Sequence, residues 1–131
     1  MAPAENSQPG RPIRILLVDD AAAVREALSG ALGGEPGCEV VGQAANGLEA
    51  LAEARRLGPD VVLMDLAMPV MDGIESTRRI VAELPRAAVI GLSISSDVEN
   101  LEALLEAGGR ALVDKSWPLS RLKSEIRRNC R

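Results

Sequence analysis

The sequence predicts an open, doubly wound parallel α/β sheet of five strands and five helices, and three observations lead there. Short apolar runs rich in Val, Leu and Ile alternate five times with stretches of helical periodicity. A helix between each pair of strands implies parallel pairing through right-handed crossovers. The strands are also near-continuously apolar, as expected where helices cover both faces of a sheet. At 131 residues there is room for one domain. A chain that is 47% apolar and 26% charged can bury a real interior and is not disordered.

The elements follow in order. Ile13, Ile15, Leu16, Leu17 and Val18 form a branched apolar run that stops at Asp19-Asp20, a buried strand. In AAAVREALSGALGG, Val24, Leu28, Ala31 and Leu32 recur at helical spacing, with Asp20 placed to cap the start and Gly33-Gly34 to stop it. EVVGQAA is the second strand, Asn46-Gly47 a turn, GLEALAEARRL the second helix and Gly58-Pro59 its stop. VVLM makes the third strand, ending on Asp65. After a loop at 66–72, GIESTRRIVAEL puts Ile74, Thr77, Ile80, Val81 and Leu84 on one face, and Pro85 ends the helix. AAVIGL is the fourth strand, VENLEALLEAGG the fourth helix and RALV the fifth strand. PLSRLKSEIRRNC closes the chain as a helix with Leu119, Leu122 and Ile126 inward.

In such sheets ligands sit outside the carboxyl ends of the strands, at the switch point in strand order. Four of the five ends carry polar chemistry: Asp19-Asp20, Asp65, Ser93, and Asp114-Lys115. Singly, each has an ordinary explanation: Asp20 as a helix cap, Ser93 as a turn residue, Lys115 as a solvated charge. In the order 2-1-3-4-5 of flavodoxin-like folds, strands one and three are neighbours, and Asp19, Asp20 and Asp65 converge. Carboxylates that close repel one another unless a cation is present, and an all-oxygen cluster with few ligands suits hydrated Mg²⁺. Ser93 and Lys115 add a hydroxyl and a positive charge beside Asp65. That set can stabilise a phosphoryl group.

ILLVDD, VVLMDLAMPVMDGIE, VIGLS and LVDK, in this order, resemble the receiver domain of two-component response regulators over almost the whole chain after its first residues. The resemblance implies a receiver domain over residues 13–131. It makes Asp65 the phosphoacceptor, taking its phosphoryl group from a sensor histidine kinase or a histidine phosphotransfer protein. It implies that Asp20, Asp65 and the backbone carbonyl of Ala67 bind Mg²⁺ directly, with Asp19 assisting through water, and that Ser93 and Lys115 hold phosphoryl oxygens. Phosphorylation would then shift the surface of helix four, strand five and helix five to control an output partner, and a homodimer through that surface is one option. LVDDAAAVREAL, EVVGQAANGLEAL and MDGIESTRRI lean toward receivers that precede a helix-turn-helix output domain (the NarL/LuxR type). No such domain lies in these 131 residues. The chain is read as a free-standing receiver or as the receiver part of a longer protein.

Several positions depart from the family pattern. Leu112 stands where an aromatic switch residue is usual and is read as packing. Ile94 is bulky where a small residue is usual, so it is expected to crowd the site and slow small phosphodonors. Ser95 is a weaker candidate than Ser93 for the hydroxyl, because it spoils the spacing to Lys115. Lys115-Ser116-Trp117 replaces a Lys-Pro-aromatic run, and Pro118 begins the last helix. Trp117 is read evenly as packing at that helix start or as an exposed partner contact. Arg121, Lys123, Arg127, Arg128 and Arg131 read as a solvated face complementing the helix C-terminus. Met64, Met68 and Met71 read as core filler. Asp72-Gly73 reads as a helix start, and Ser95, Ser96 and Asp97 as the cap of helix four.

Composition narrows the function further. A net charge of −4 and Trp117 as the sole aromatic oppose direct nucleic-acid binding by this domain. With no histidine the phosphodonor must be another molecule, and Cys38 and Cys130 lack metal-ligand spacing and read as free thiols. Residues 1–12 read as a disordered tail with no apolar leader core. No run approaches a membrane span, so the expected setting is cytoplasmic. Two rivals remain. An aspartate-nucleophile phosphatase wants a second acid two residues after the nucleophile, where Ala67 stands, so the chain is not read as an enzyme. The other rival is a receiver-like interaction module that is never phosphorylated.

Overall fold

The computed structural model describes residues 11–68, 70–94 and 97–130. Strands and helices alternate without exception: β1 (Ile13–Val18), α1 (Ala22–Gly33), β2 (Cys38–Ala44), α2 (Gly47–Leu57), β3 (Val61–Asp65), α3 (Gly73–Glu83), β4 (Ala88–Ser93), α4 (Val98–Glu106), β5 (Ala111–Asp114) and α5 (Leu119–Asn129). All pairings are parallel, as the alternation predicts, and the strand order is β2-β1-β3-β4-β5, that of flavodoxin-like folds.

Alternate residues of each strand point to opposite faces, and this splits the apolar runs between two cores. Leu16, Val18, Val62, Met64 and Val89 pack with Leu51, Ile80 and Leu104 under α2, α3 and α4. Ile15, Leu17, Leu63, Ile90 and Val113 pack with Leu32, Leu122 and Ile126 under α1 and α5. Met64, Met68 and Met71 are buried, as expected of filler.

Helix starts depend on short polar side chains. Asn46, Asp72 and Asp97 each accept a hydrogen bond from the backbone N–H three residues on, at 2.9 Å. Asn46 is therefore a helix cap rather than part of a free turn. The Asp20 cap is not made: the N-cap of α1 is Ala21, without a side-chain bond. Its N–H is taken by Asp19 Oδ1 at 2.9 Å, which leaves the exposed Asp20 carboxylate to the rim of the sheet. α4 ends at Glu106, short of the predicted VENLEALLEAGG helix, and Gly108 has the positive φ of 101° that turns the chain toward β5. Leu119 is not in the core. It is 36% exposed at the mouth of a cleft between α1 and α5, because Pro118 delays the helix until the chain has left the sheet.

Two buried or cross-element ties escaped the sequence reading. Asp60, beneath the sheet's opposite edge, accepts from the Arg14 N–H at 2.9 Å and from Arg11 at 3.5 Å. Of the predicted tail, residues 1–10 lie outside the described residues, whereas Arg11 belongs to this tie. The basic residues of α5 are more than a solvated face: Lys123 pairs with Glu35 at 2.9 Å, Arg127 also reaches Glu35, and Arg128 pairs with Glu125. The two pairs with Glu35 clamp α5 onto the α1–β2 turn, whereas Arg128–Glu125 lies within α5. Arg131 lies outside the described residues, as do Ser95 and Ser96.

Leu63→Ala, at a fully buried position in the central strand, is expected to cost about 3 kcal/mol. Loss of the Asn46 cap in Asn46→Ala should cost about 1 kcal/mol. Urea titration followed by circular dichroism checks both, with the two midpoints falling in that order.

Candidate functional site at the carboxyl edge of the sheet

β1 and β3 are neighbours and end side by side, so the charges that terminate them meet. Asp19, Asp20 and Asp65 each offer a carboxylate oxygen, and these oxygens lie within 4.8 Å of one another. Asp19 and Asp65 are buried, and Asp20 faces solvent. Lys115, at the start of the β5–α5 loop, reaches back across the rim. Its ammonium lies 2.9 Å from Asp19 Oδ2 and 3.3 Å from Asp65 Oδ1. The Lys115 N–H donates to the Ser93 carbonyl at 2.8 Å, which fixes where that side chain leaves the backbone.

The electrostatics follow from this packing. Burial pushes the Asp65 carboxyl up; the Ala67 N–H resists, the Asp19 charge adds to the rise, and Lys115 opposes it, with a net upward result. Burial alone would lower Lys115, but its hydrogen bond to Asp19 and the charges of Asp65 and Asp19 outweigh that and raise it. Lys115 is thus charged at neutral pH. Three carboxylates against its one ammonium leave surplus negative charge in a partly desolvated place.

The β3–α3 loop runs over this cluster. Ala67 N–H donates to Asp65 Oδ1 at 3.2 Å, and Leu66 N–H donates to the Leu92 carbonyl at 3.0 Å. Among the described residues no donor takes the Ala67 carbonyl. A Cβ on Gly73 would fall 2.3 Å from the Asp65 carbonyl oxygen, so only glycine lets α3 begin this close to the end of β3. The sequence reading saw Asp72-Gly73 as a helix start and missed this second demand.

Ser93 ends β4 one residue beyond Leu92, the register partner of Asp65, and is buried. Its Oγ accepts from Asn100 Nδ2 of α4 at 3.4 Å. Neither Asn100 nor Arg25 was picked out from the sequence. Arg25 donates to the Asp19 carbonyl at 2.6 Å and to Gln43 Oε1 at 3.3 Å, so α1 braces the end of β1. An Arg in the first turn of the helix that follows a paired acid was the available signal.

The departures from the family pattern resolve individually. Leu112 is half-buried against the core under α3 and α4, as a packing residue. Ile94 is 84% exposed and belongs to neither core. Trp117 packs against the α1–α5 core, with the Arg121 guanidinium 4.0 Å above its ring. Cys38 and Cys130 are free thiols. No helix among the described residues is long and apolar enough to cross a membrane.

A family model described as the response regulator receiver domain matches residues 15–127, nearly the whole fold and every rim residue just described. The chain belongs to the response regulator receiver family. This receiver is 45% identical over 105 residues to a protein-glutamate methylesterase/protein-glutamine glutaminase of Syntrophus aciditrophicus, covering 79% of this chain and 30% of that protein. A two-component response regulator of the LuxR family from an Aurantimonas species superposes with a TM-score of 0.87 at 34% identity, over 91% of this chain and 85% of that one. The CheX–CheY–BeF3–Mg²⁺ complex of Borrelia burgdorferi matches with a TM-score of 0.83 at 26% identity, over 89% of this chain and 88% of that one. Similar receivers therefore occur beside both enzymatic and regulatory partners. The chain is a receiver domain of two-component signalling.

The raised Asp65 predicts an unusual pH response. Its ionised form is disfavoured in the fold, so stability is fullest below the unfolded carboxylate value of about 3.9. It is lost as pH rises through the higher folded value. Asp65→Asn is accordingly expected to raise Tm by a few degrees at pH 7 in the presence of chelator. The gain should shrink toward pH 4, which thermal scans across that range check.

Proposed function

We propose that this receiver is a switch worked by phosphorylation of Asp65, with Mg²⁺ held by Asp20, Asp65 and the Ala67 carbonyl and with Asp19 assisting through water. The observation that carries the reading is the Lys115 ammonium between Asp19 and Asp65, beside a third carboxylate, at the edge where parallel sheets bind ligands. The donor set fits a small hard cation, since it is all oxygen, carries surplus negative charge and includes a carbonyl with no other donor among the described residues. Bound there, such a cation would neutralise charge on the transferring phosphoryl group.

The remaining chemistry belongs to the chain. Asp65 Oδ1 is engaged by the Ala67 N–H and by Lys115, which leaves Oδ2 as the attacking oxygen. It forms an O–P bond as the P–N bond of a phosphohistidine on a sensor kinase or phosphotransfer protein breaks, and the imidazole leaves with the electron pair. Lys115 then follows the charge onto a phosphoryl oxygen, and Ser93 donates its hydroxyl to another. Drawing Ser93 inward pulls on Asn100 and so on α4, whose Val98, Leu101 and Leu105 form an exposed apolar stripe. That face, with β5 and α5, would carry the signal to an output partner or a second copy, in the cytoplasm. The chain's only reaction would be with itself, by phosphorylation and hydrolysis.

Incubation with Mg²⁺ and a phosphohistidine donor is expected to produce an acyl phosphate, seen by intact-mass spectrometry. Asp65→Asn should abolish it, and Lys115→Ala should lower its yield by about tenfold or more. Packing of Leu112 where a switching aromatic is usual favours a second reading, an interaction module that works unphosphorylated. No labelling by a panel of donors, together with an unchanged α4 surface in nuclear magnetic resonance spectra, would select it.

A further inference from the structure

We infer that Gly47, the first residue of α2, is a positioning residue for the β3–α3 loop and, through Met71, sets the place of the Ala67 carbonyl at the acidic rim. The inference rests on the reading of that rim as a Mg²⁺ and phosphoryl site.

The contact between α2 and the loop is closer than any side chain allows. Gly47 N–H donates to the Met71 carbonyl at 3.1 Å, and a Cβ on Gly47 would lie 2.3 Å from that oxygen and 2.8 Å from Met71 Cβ. The demand is steric, since Met71 occupies the space a side chain would need. The seat is fastened from behind: Ser76 Oγ, fully buried on α3, donates to the Gly47 carbonyl at 2.9 Å. One peptide group of α2 thus binds the end of the loop on one side and α3 on the other.

Val70, just before Met71, has φ of 72°. A β-branched residue is crowded in this left-handed region, and such strain persists only where its surroundings enforce it. Val70 does not enforce its own geometry, because its side chain is 74% exposed. Met71, buried against Gly47, and Met68, also buried, hold the chain on either side. The loop's near end is fastened to the rim by the Ala67 N–H bond to Asp65 and by the Gly73 N–H bond to the Leu66 carbonyl at 3.2 Å. Relaxing Val70 to a negative φ would reverse the chain's direction there, so Met71 and Ala67 could not both stay in place. A side chain at Gly47 that unseats Met71 therefore releases the strain toward the cluster.

Isothermal titration with Mg²⁺ alone and amide hydrogen exchange of the metal-free protein test this on whole-chain variants. Gly47→Ala is expected to weaken Mg²⁺ binding about fivefold or more. It should also speed exchange at Leu66, Ala67 and Gly73. Gly109→Ala is the control: its Cβ would meet Leu104 Cγ at 2.5 Å, between α4 and β5, so it loses stability without touching the loop and should change neither readout. Adding Val70→Gly to Gly47→Ala should recover most of the lost affinity, because glycine keeps the left-handed turn without strain. The inference is overturned if Gly47→Ala matches wild type in affinity and loop exchange, or if the two substitutions merely add. Should Gly47→Ala not fold, Ser76→Ala must give the same pattern at smaller amplitude or overturn the inference. Absence of Mg²⁺ binding by the wild type would overturn the reading of the rim instead, and the exchange measurement would still decide the role of Gly47.

Discussion

The Lys115 ammonium, 2.9 Å from Asp19 and 3.3 Å from Asp65, is the interaction on which the rim depends. Parallel strands oblige β1 and β3 to end at the same level, and both end on acids. Without a cation, those carboxylates would be two like charges sharing one low-dielectric site, with Asp20 a third at its edge. One ammonium lowers that cost without cancelling it: burial first, and then the Asp19 charge, still hold the Asp65 carboxyl above its ordinary value. The result is a site whose charge is only partly balanced and which attracts further positive charge.

The rest of the molecule makes that edge rigid. Every strand contributes alternate residues to two aliphatic cores, so no strand end can tilt without disturbing packing on both faces. Asp60 with Arg14 ties β1 to the turn before β3 at the opposite edge, and Glu35 with Lys123 and Arg127 holds α5 against the α1–β2 turn. Above the rim runs the β3–α3 connection. Even there, Gly73 and Gly47 permit approaches that only glycine allows. The loop over the acids is therefore a braced element rather than a slack one.

Receivers are reused with different outputs, and the relatives of this one illustrate it: a methylesterase of which this chain matches 30% of the length, and a LuxR-family regulator. What they share with this chain is the receiver domain. Here α4 shows Val98, Leu101 and Leu105 among Glu99, Glu102 and Glu106, whereas α5 is basic and largely engaged with its own domain. The two helices that flank β5 thus differ sharply in charge.

Much of this was legible in the chain itself. Alternation of apolar runs with helical periods determined the fold class and the parallel pairing, because crossover handedness leaves few topologies open, and the flavodoxin-like order was one of those few. The acids at 19, 20 and 65 and Lys115 were readable as a site because a parallel sheet gathers strand ends at one edge whatever the details of packing. Only the tertiary structure decided the rest. It withdrew Asp20 from capping, since Asp19 takes the Ala21 N–H, and placed Leu119 at a cleft mouth and Ile94 out in solvent. It recruited Asp60 and Gly47, whose partners Arg14 and Met71 lie far away in sequence, and Arg25 and Asn100, each of which reaches back from a helix to the end of the strand before it. Local patterns specify which way a chain runs and which face is apolar; contacts between distant residues depend on distances that no local period encodes.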